Sequence, residues 1–198
     1  MVLAEVLAHL EAAGSEQTRR TYARHGITGE CFGVNYAVLG QLRKKIKVDD
    51  ALSVELWASG IHDARVLACM VTDTAALTRV RIDSMVDAID NYALAGELGD
   101  LIARSPLLME VHDAWRCDLG EWRSAIGWRM VSALASKGNV SLDAGRAYLS
   151  EIEAGVSAAP NRTRLAMNSA MIALGGYNRC LFEDVVASSG RLGPINVD

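Results

Sequence analysis

Apolar residues recur along this chain at intervals of three and four, and no stretch shows the alternation that marks a half-buried strand. The spacing predicts helices over 2–13, 15–25, 34–46, 50–59, 62–71, 78–90, 92–104, 106–116, 120–136, 142–156, 161–175 and 178–190. Short turns separate them, among them Gly14-Ser15, Gly26-Ile27-Thr28-Gly29, Ser59-Gly60, Lys137-Gly138-Asn139 and Ala159-Pro160-Asn161. Ser15, Asp49, Asn91 and Ser141 suit helix caps, and Ser105 followed by Pro106 reads as a cap and first turn. Twelve short-linked helices form about six antiparallel pairs. Stacked pairs make an all-α solenoid with a concave face, a single domain over 1–198. No exact repeat period survives, so the pattern alone also allows a compact all-α domain.

One helix carries an anomaly. Leu94, Leu98, Leu101 and Ile102 give the run from Asp87 to Ile102 a clear apolar stripe, yet Gly96 lies in its middle. A glycine there costs about 1 kcal/mol against alanine, so either close packing or a lost side chain must account for it.

Composition narrows the chemistry. The chain of 198 residues is 51% hydrophobic, enough for a continuous core, and carries a net charge of −4. That total advertises no nucleic acid, but binding follows the field of one surface and not the sum. Cys31, Cys69, Cys117 and Cys180 form no CxxC pair and read as buried reduced thiols of a cytoplasmic protein. The start, Met1 to Val6, lacks a basic leader and has an early Glu5, and no apolar run suits a membrane span. His9, His25, His62 and His112 stand apart from one another and from the cysteines, so no metal and no cofactor is expected.

Basic residues do cluster. Arg19, Arg20 and Arg24 share one amphipathic helix, and Arg43, Lys44, Lys45 and Lys47 end another. For the second group, dipole complement and solvation suffice as an explanation, and Asp49 and Asp50 weaken its field. Arg162 and Arg164 open a helix, where a cation opposes the dipole. With the free amides there they would make a phosphate-binding end. Trp57, Trp115, Trp122 and Trp128 are expected in helix packing, with Arg129 beside the last of them. Asn168, in an otherwise apolar helix, is expected to bond between helices if buried.

The ordered set of segments resembles the DNA alkylation repair family of HEAT-like repeat proteins, the AlkD-like glycosylases and their relatives. Tyr22-Ala23-Arg24-His25-Gly26 and Cys31-Phe32-Gly33-Val34 open the match, followed by Glu55 to Gly60 and Asp63 to Ala68. Asn91 to Ala95, Glu121-Trp122, Gly127-Trp128 and Ala159 to Asn168 continue it. The closing Gly193-Pro194-Ile195-Asn196-Val197-Asp198 resembles the start of a tail that runs further in the family. The resemblance implies a HEAT-like α-solenoid whose concave face holds duplex DNA. In active members it implies an aspartate, four residues after an aromatic, that stabilises positive charge developing on the sugar of a cationic alkylated purine nucleotide. Tyr92 takes the aromatic position, and Gly96 stands where the aspartate belongs.

Glu97 is rotated about 100° from Gly96, whereas Asp100 shares its face about 6 Å further along. The family's later arginine maps to Ala125, flanked by Arg123 and Arg129, and its later aromatic falls near Asn168 or Ser169. Two functions follow. One is an alkylpurine glycosylase with an altered site that uses Asp100 or Glu97 beside Tyr92. The other is a non-catalytic DNA- or protein-binding scaffold. Candidate DNA contacts are Arg19, Arg20, Lys44, Lys45, Arg129, Arg162 and Arg164, on a monomer expected in the cytoplasm or at the nucleoid.

Overall fold

A computed structural model of the chain describes residues 1–197. Asp198, on which the expected continuation of the tail rests, lies outside the described residues. Among those described there are twelve α-helices and no strand. They are α1 (Leu3–Ala13), α2 (Glu16–Arg24), α3 (Tyr36–Ile46), α4 (Asp50–Ala58), α5 (His62–Val71) and α6 (Arg79–Asp87). There follow α7 (Tyr92–Ala103), α8 (Leu108–Trp115), α9 (Glu121–Ser136), α10 (Leu142–Gly155), α11 (Asn161–Tyr177) and α12 (Phe182–Leu192). A short 3-10 turn, Arg179–Leu181, leads into α12. None of these helices is long and apolar enough to cross a membrane.

Most helix starts follow local chemistry. Ser15, Asn35, Asp49, Asn91 and Ser141 each accept a backbone N–H from the first turn of the helix they precede. Two boundaries depart from the periodicity. Helix α6 stops at Asp87, because Ala88 to Asp90 leave the spiral and free Asn91 to cap α7. Ser105 does not cap α8. Its hydroxyl donates back to the Ile102 carbonyl 2.9 Å away, and α8 begins two residues after Pro106. Cys69 is buried as expected, whereas Cys117 and Cys180 are exposed.

The chain packs as two compact units, Met1–Pro106 and Leu107–Asp198. In the first, α5 lies between α3 and α7, with α4 packed on α5 and α6 on α7. The Asp49 amide donates to the Val71 carbonyl and Arg104 to the Cys69 carbonyl, so the C-terminal ends of α3, α5 and α7 share one edge. Almost every α5 side chain is buried, including the carboxylate of Asp63. In the second unit, α9 packs on α8 and α11, and α11 also contacts α10 and α12.

Asp63 carries the first unit's central joint. Its Oδ2 accepts the Phe32 amide at 2.6 Å and the Gly33 amide at 3.3 Å, and its Oδ1 accepts the Val34 amide at 2.7 Å. Gly33 supports the bend with φ +75°, where a side chain would also strike Arg19 and the Ser15 carbonyl. Tyr22 donates its hydroxyl to the Val34 carbonyl at 2.5 Å, and Arg19 donates to the Phe32 carbonyl at 3.0 Å. The loop is therefore held from α2 and α5 at once.

His62 adds a pH-sensitive weakness beside this joint. Both ring nitrogens are buried without a hydrogen-bond partner, and the ring meets Tyr22 edge-on. Burial lowers its pKa, with the Arg65 charge in the same sense and Asp63 and Asp90 opposing. A depressed native pKa means that the unfolded chain binds the proton more readily. The stabilising contribution is thus complete above the unfolded value of 6.5 and is lost as pH falls below it.

Replacing Asp63 with alanine leaves three amides without their acceptor, two of them buried, and about 3–6 kcal/mol of stability should disappear in urea unfolding. Urea unfolding at pH 7.5 and pH 5.5 tests His62. The wild-type protein should lose more stability on acidification than His62→Phe, and equal losses would exclude a neutral buried imidazole.

Candidate nucleic-acid interface

Helix α7 resolves the anomaly of its glycine. A Cβ built at Gly96 meets nothing within 4 Å, so the residue makes no close helix contact and leaves open space. Gly127 on α9 is the opposite case. There a Cβ would collide with the Arg116 backbone and the Trp115 carbonyl carbon, so the missing side chain lets α9 lie against the end of α8. Tyr92, Gly96 and Asp100 follow one another at helical spacing along α7. Tyr92 is half-buried and meets His25 edge-on, with ring centroids 6.2 Å apart. Asp100 is half-buried too.

Glu97 has a different employment. Its carboxylate lies close enough to Tyr36, at the start of α3, to act on the phenol electrostatically. Burial first, then the Glu97 charge and hydrogen bond, push the Tyr36 phenol up. The same carboxylate reinforces the rise of the Cys69 thiol, which burial dominates. Tyr36 was not among the sequence candidates. Its only signal there is an aromatic residue directly after a capping asparagine, which many structural helices share.

The candidate cations fall into different environments. Arg19 and Arg20 both bond Glu16 at 3.1 Å, and their hydrogen bonds hold that carboxyl below the usual range. Arg19 is further committed to the Phe32 carbonyl, so its first role is to fasten the loop. Lys44 and Lys45 are exposed at the end of α3 and make no ion pair among the described residues. Arg129 is exposed on α9.

At the start of α11 the Arg162 amide donates to the Glu121 carboxylate at 2.8 Å. An acid already occupies part of the end where free amides were expected to serve a phosphate. Arg164 donates to the Asn196 carbonyl at 3.1 Å. Ser124 and Thr163 share a 2.5 Å hydrogen bond nearby, which sets α9 and α11 side by side with their starts together. Asn168 is half-buried, and its side chain forms no bond between helices among the described residues.

Three of the four tryptophans pack, as expected, and Trp122 is half-buried. Trp115 and Trp128 are buried, Trp57 lies under Arg65, and Arg123 stacks on Trp115 with its guanidinium carbon 5.3 Å from the ring centroid. Arg116 lies over both Trp128 and Tyr148 and pairs with Glu151, so it too serves the second unit's interior.

Comparisons with known proteins complete the picture. The family profile of DNA alkylation repair enzymes matches residues 6–194. A solved structure, from a new family of proteins related to the HEAT-like repeat DNA glycosylases with affinity for branched DNA structures, matches with a TM-score of 0.94. The match covers 100% of this chain and 86% of that one at 26% sequence identity. No curated protein matches the chain significantly.

The two glycines generate a paired prediction for thermal or urea unfolding. Gly96→Ala should stabilise by about 0.5–1 kcal/mol, because it gains helix propensity without a clash. Gly127→Ala should destabilise by about 1–3 kcal/mol, because α8 must give way.

Proposed function

Since the chain belongs to the DNA alkylation repair enzyme family, we propose that it is a DNA-binding scaffold of that family which lacks efficient base excision. The open space at Gly96 carries this reading. A glycosylase acting on a cationic alkylated purine gains its rate from a carboxylate aimed at charge that develops on the sugar. At Gly96 no carboxylate is attached, and no neighbouring group comes within 4 Å of where its Cβ would stand. Glu97 is rotated about 100° around α7 from Gly96, and Asp100 stands about 6 Å along the helix. A displacement of even about 1 Å in such a site can cost on the order of a hundredfold in rate.

What remains suits backbone binding. Exposed lysines offer charge to phosphates without reading base edges, which gives affinity that falls steeply with salt. The affinity of the related structure's family for branched DNA supports a branched substrate beside plain duplex. A junction gathers several phosphate backbones within reach of one surface. Retention of Tyr92 at the aromatic position, with Asp100 on the same stripe, favours a second reading, a weakened glycosylase.

Two assays separate these readings. Gel-shift titration at several salt concentrations should show binding to a four-way junction and to linear duplex, weakening as salt rises. Incubation with methylated duplex should release 7-methylguanine and 3-methyladenine no faster than the protein-free control. Release that disappears in Asp100→Asn would establish the second reading instead. Absence of DNA binding at low salt would overturn the proposal and point to a protein partner.

A further inference from the structure

Lys47 is the residue whose presence folding does not explain. It follows α3 with φ 67° and ψ −126°, a conformation in which a Cβ crowds the backbone and which glycine adopts freely. Among the described residues it is the only non-glycine with positive φ. The other such positions are Gly26, Gly33, Gly60, Gly138 and Gly193. The turn itself is required, because the next residues must bring the Asp49 amide to the Val71 carbonyl at 2.9 Å and let Asp49 cap α4. A glycine would serve that turn better. The lysine side chain is exposed and has no hydrogen bond or ion pair among the described residues.

The surroundings say what the ammonium is for. Arg43, Lys44 and Lys45 fill the last turn of α3, all exposed, and already complement its C-terminal dipole. That effect fades within one turn, so a fourth cation beyond the helix end adds little to it. The neighbouring acids are turned to other work. Asp50 is paired with Arg81 at 2.7 Å, and Asp49 Oδ1 accepts the Leu52 amide at 3.1 Å. Asp50 is balanced by Arg81 while Asp49 and the α3 dipole offset part of the rest, so the four cations leave a net positive field at one tip, at the shared C-terminal edge of α3, α5 and α7.

We propose that the α3–α4 turn is a phosphodiester-binding tip in which Lys47, held in a strained conformation, makes a direct contact to the DNA backbone together with Arg43, Lys44 and Lys45. This rests on the DNA-binding reading above and adds a contact residue to it. Strain retained at an exposed position, with no return in folding, is characteristic of a ligand contact.

The full chain and three variants test it by fluorescence anisotropy with a labelled four-way junction and a labelled duplex, alongside thermal unfolding. Lys47→Gly should unfold at higher temperature than the wild type and yet bind both DNAs about three- to tenfold more weakly. The slope of log affinity against log salt should fall by about 1. Lys47→Ala, which loses the charge but keeps the strain, should weaken binding equally without the thermal gain. Lys47→Arg should bind as the wild type does. A stabilised Lys47→Gly with unchanged affinity and salt slope overturns the proposal. Failure of the wild type to bind either DNA overturns the DNA-binding reading itself, so the two failures are distinguishable.

Discussion

The first unit hangs on one carboxylate. Asp63 enters the interior without a cation, and three amides of a distant loop supply its solvation. The Gly33 and Val34 bonds are buried, and so is the carboxylate, so each satisfies the other's desolvation. The loop leads directly into the Asn35 cap of α3. Consequently the carboxylate fixes where α3 begins, and hence where the basic tip emerges. Tyr22 and Arg19 hold the loop from the other side, through carbonyl oxygens left over after the amides are used. A segment that resembles a family signature thus acts here as a joint between α2 and α5.

Arginine follows the same economy. Arg65 donates to the Trp57 and Ala88 carbonyls, Arg81 holds Asp50 and Ser53, and Arg104 reaches the Cys69 carbonyl. Arg116 and Arg123 lie on aromatic faces in the second unit. A planar fork with several donors suits such carbonyls and rings, whereas a compact ammonium is better left in water. The surface charge left available to a polyanion is therefore smaller than the number of arginines suggests, and the four lysines are all exposed. A count of basic residues in sequence overstates the interface, because it includes guanidiniums whose donors are spent inside.

Local chemistry was legible and distant chemistry was not. Helix positions and the caps at Ser15, Asp49, Asn91 and Ser141 could be read because the partners lie within one turn. Ser105 misled because a hydroxyl satisfies a preceding carbonyl as readily as a following amide, and the residues alone do not rank the two. Gly96 and Gly127 look alike in sequence, each interrupting a good helix. Only the neighbour across the packing interface separates an open position from an obligatory contact. Asp63 lies about thirty residues from its amides, and Glu121 about forty from the amide it occupies. No spacing rule reaches that far. Lys47 was visible as one more cation, since nothing in residue order reveals that φ there is positive.

Gly96 and Lys47 make opposite departures from local preference, and the contrast bears on what the chain retains. At Gly96 a helix accepts a residue that weakens it, with space for any small side chain and no packing gain. At Lys47 a turn accepts a side chain that strains it, with no bond to compensate. If stability alone governed both, glycine and a side-chain-bearing residue would exchange places. The observed assignment instead omits a group on the helix that carries Tyr92 and keeps a charge on an exposed tip. Omission of a reactive carboxylate with retention of a strained cation is the combination expected of a protein that must hold a polyanion and need not cleave it. Gly96 lies within α7 and Lys47 in the turn after α3, so the omitted group and the retained charge sit on separate elements.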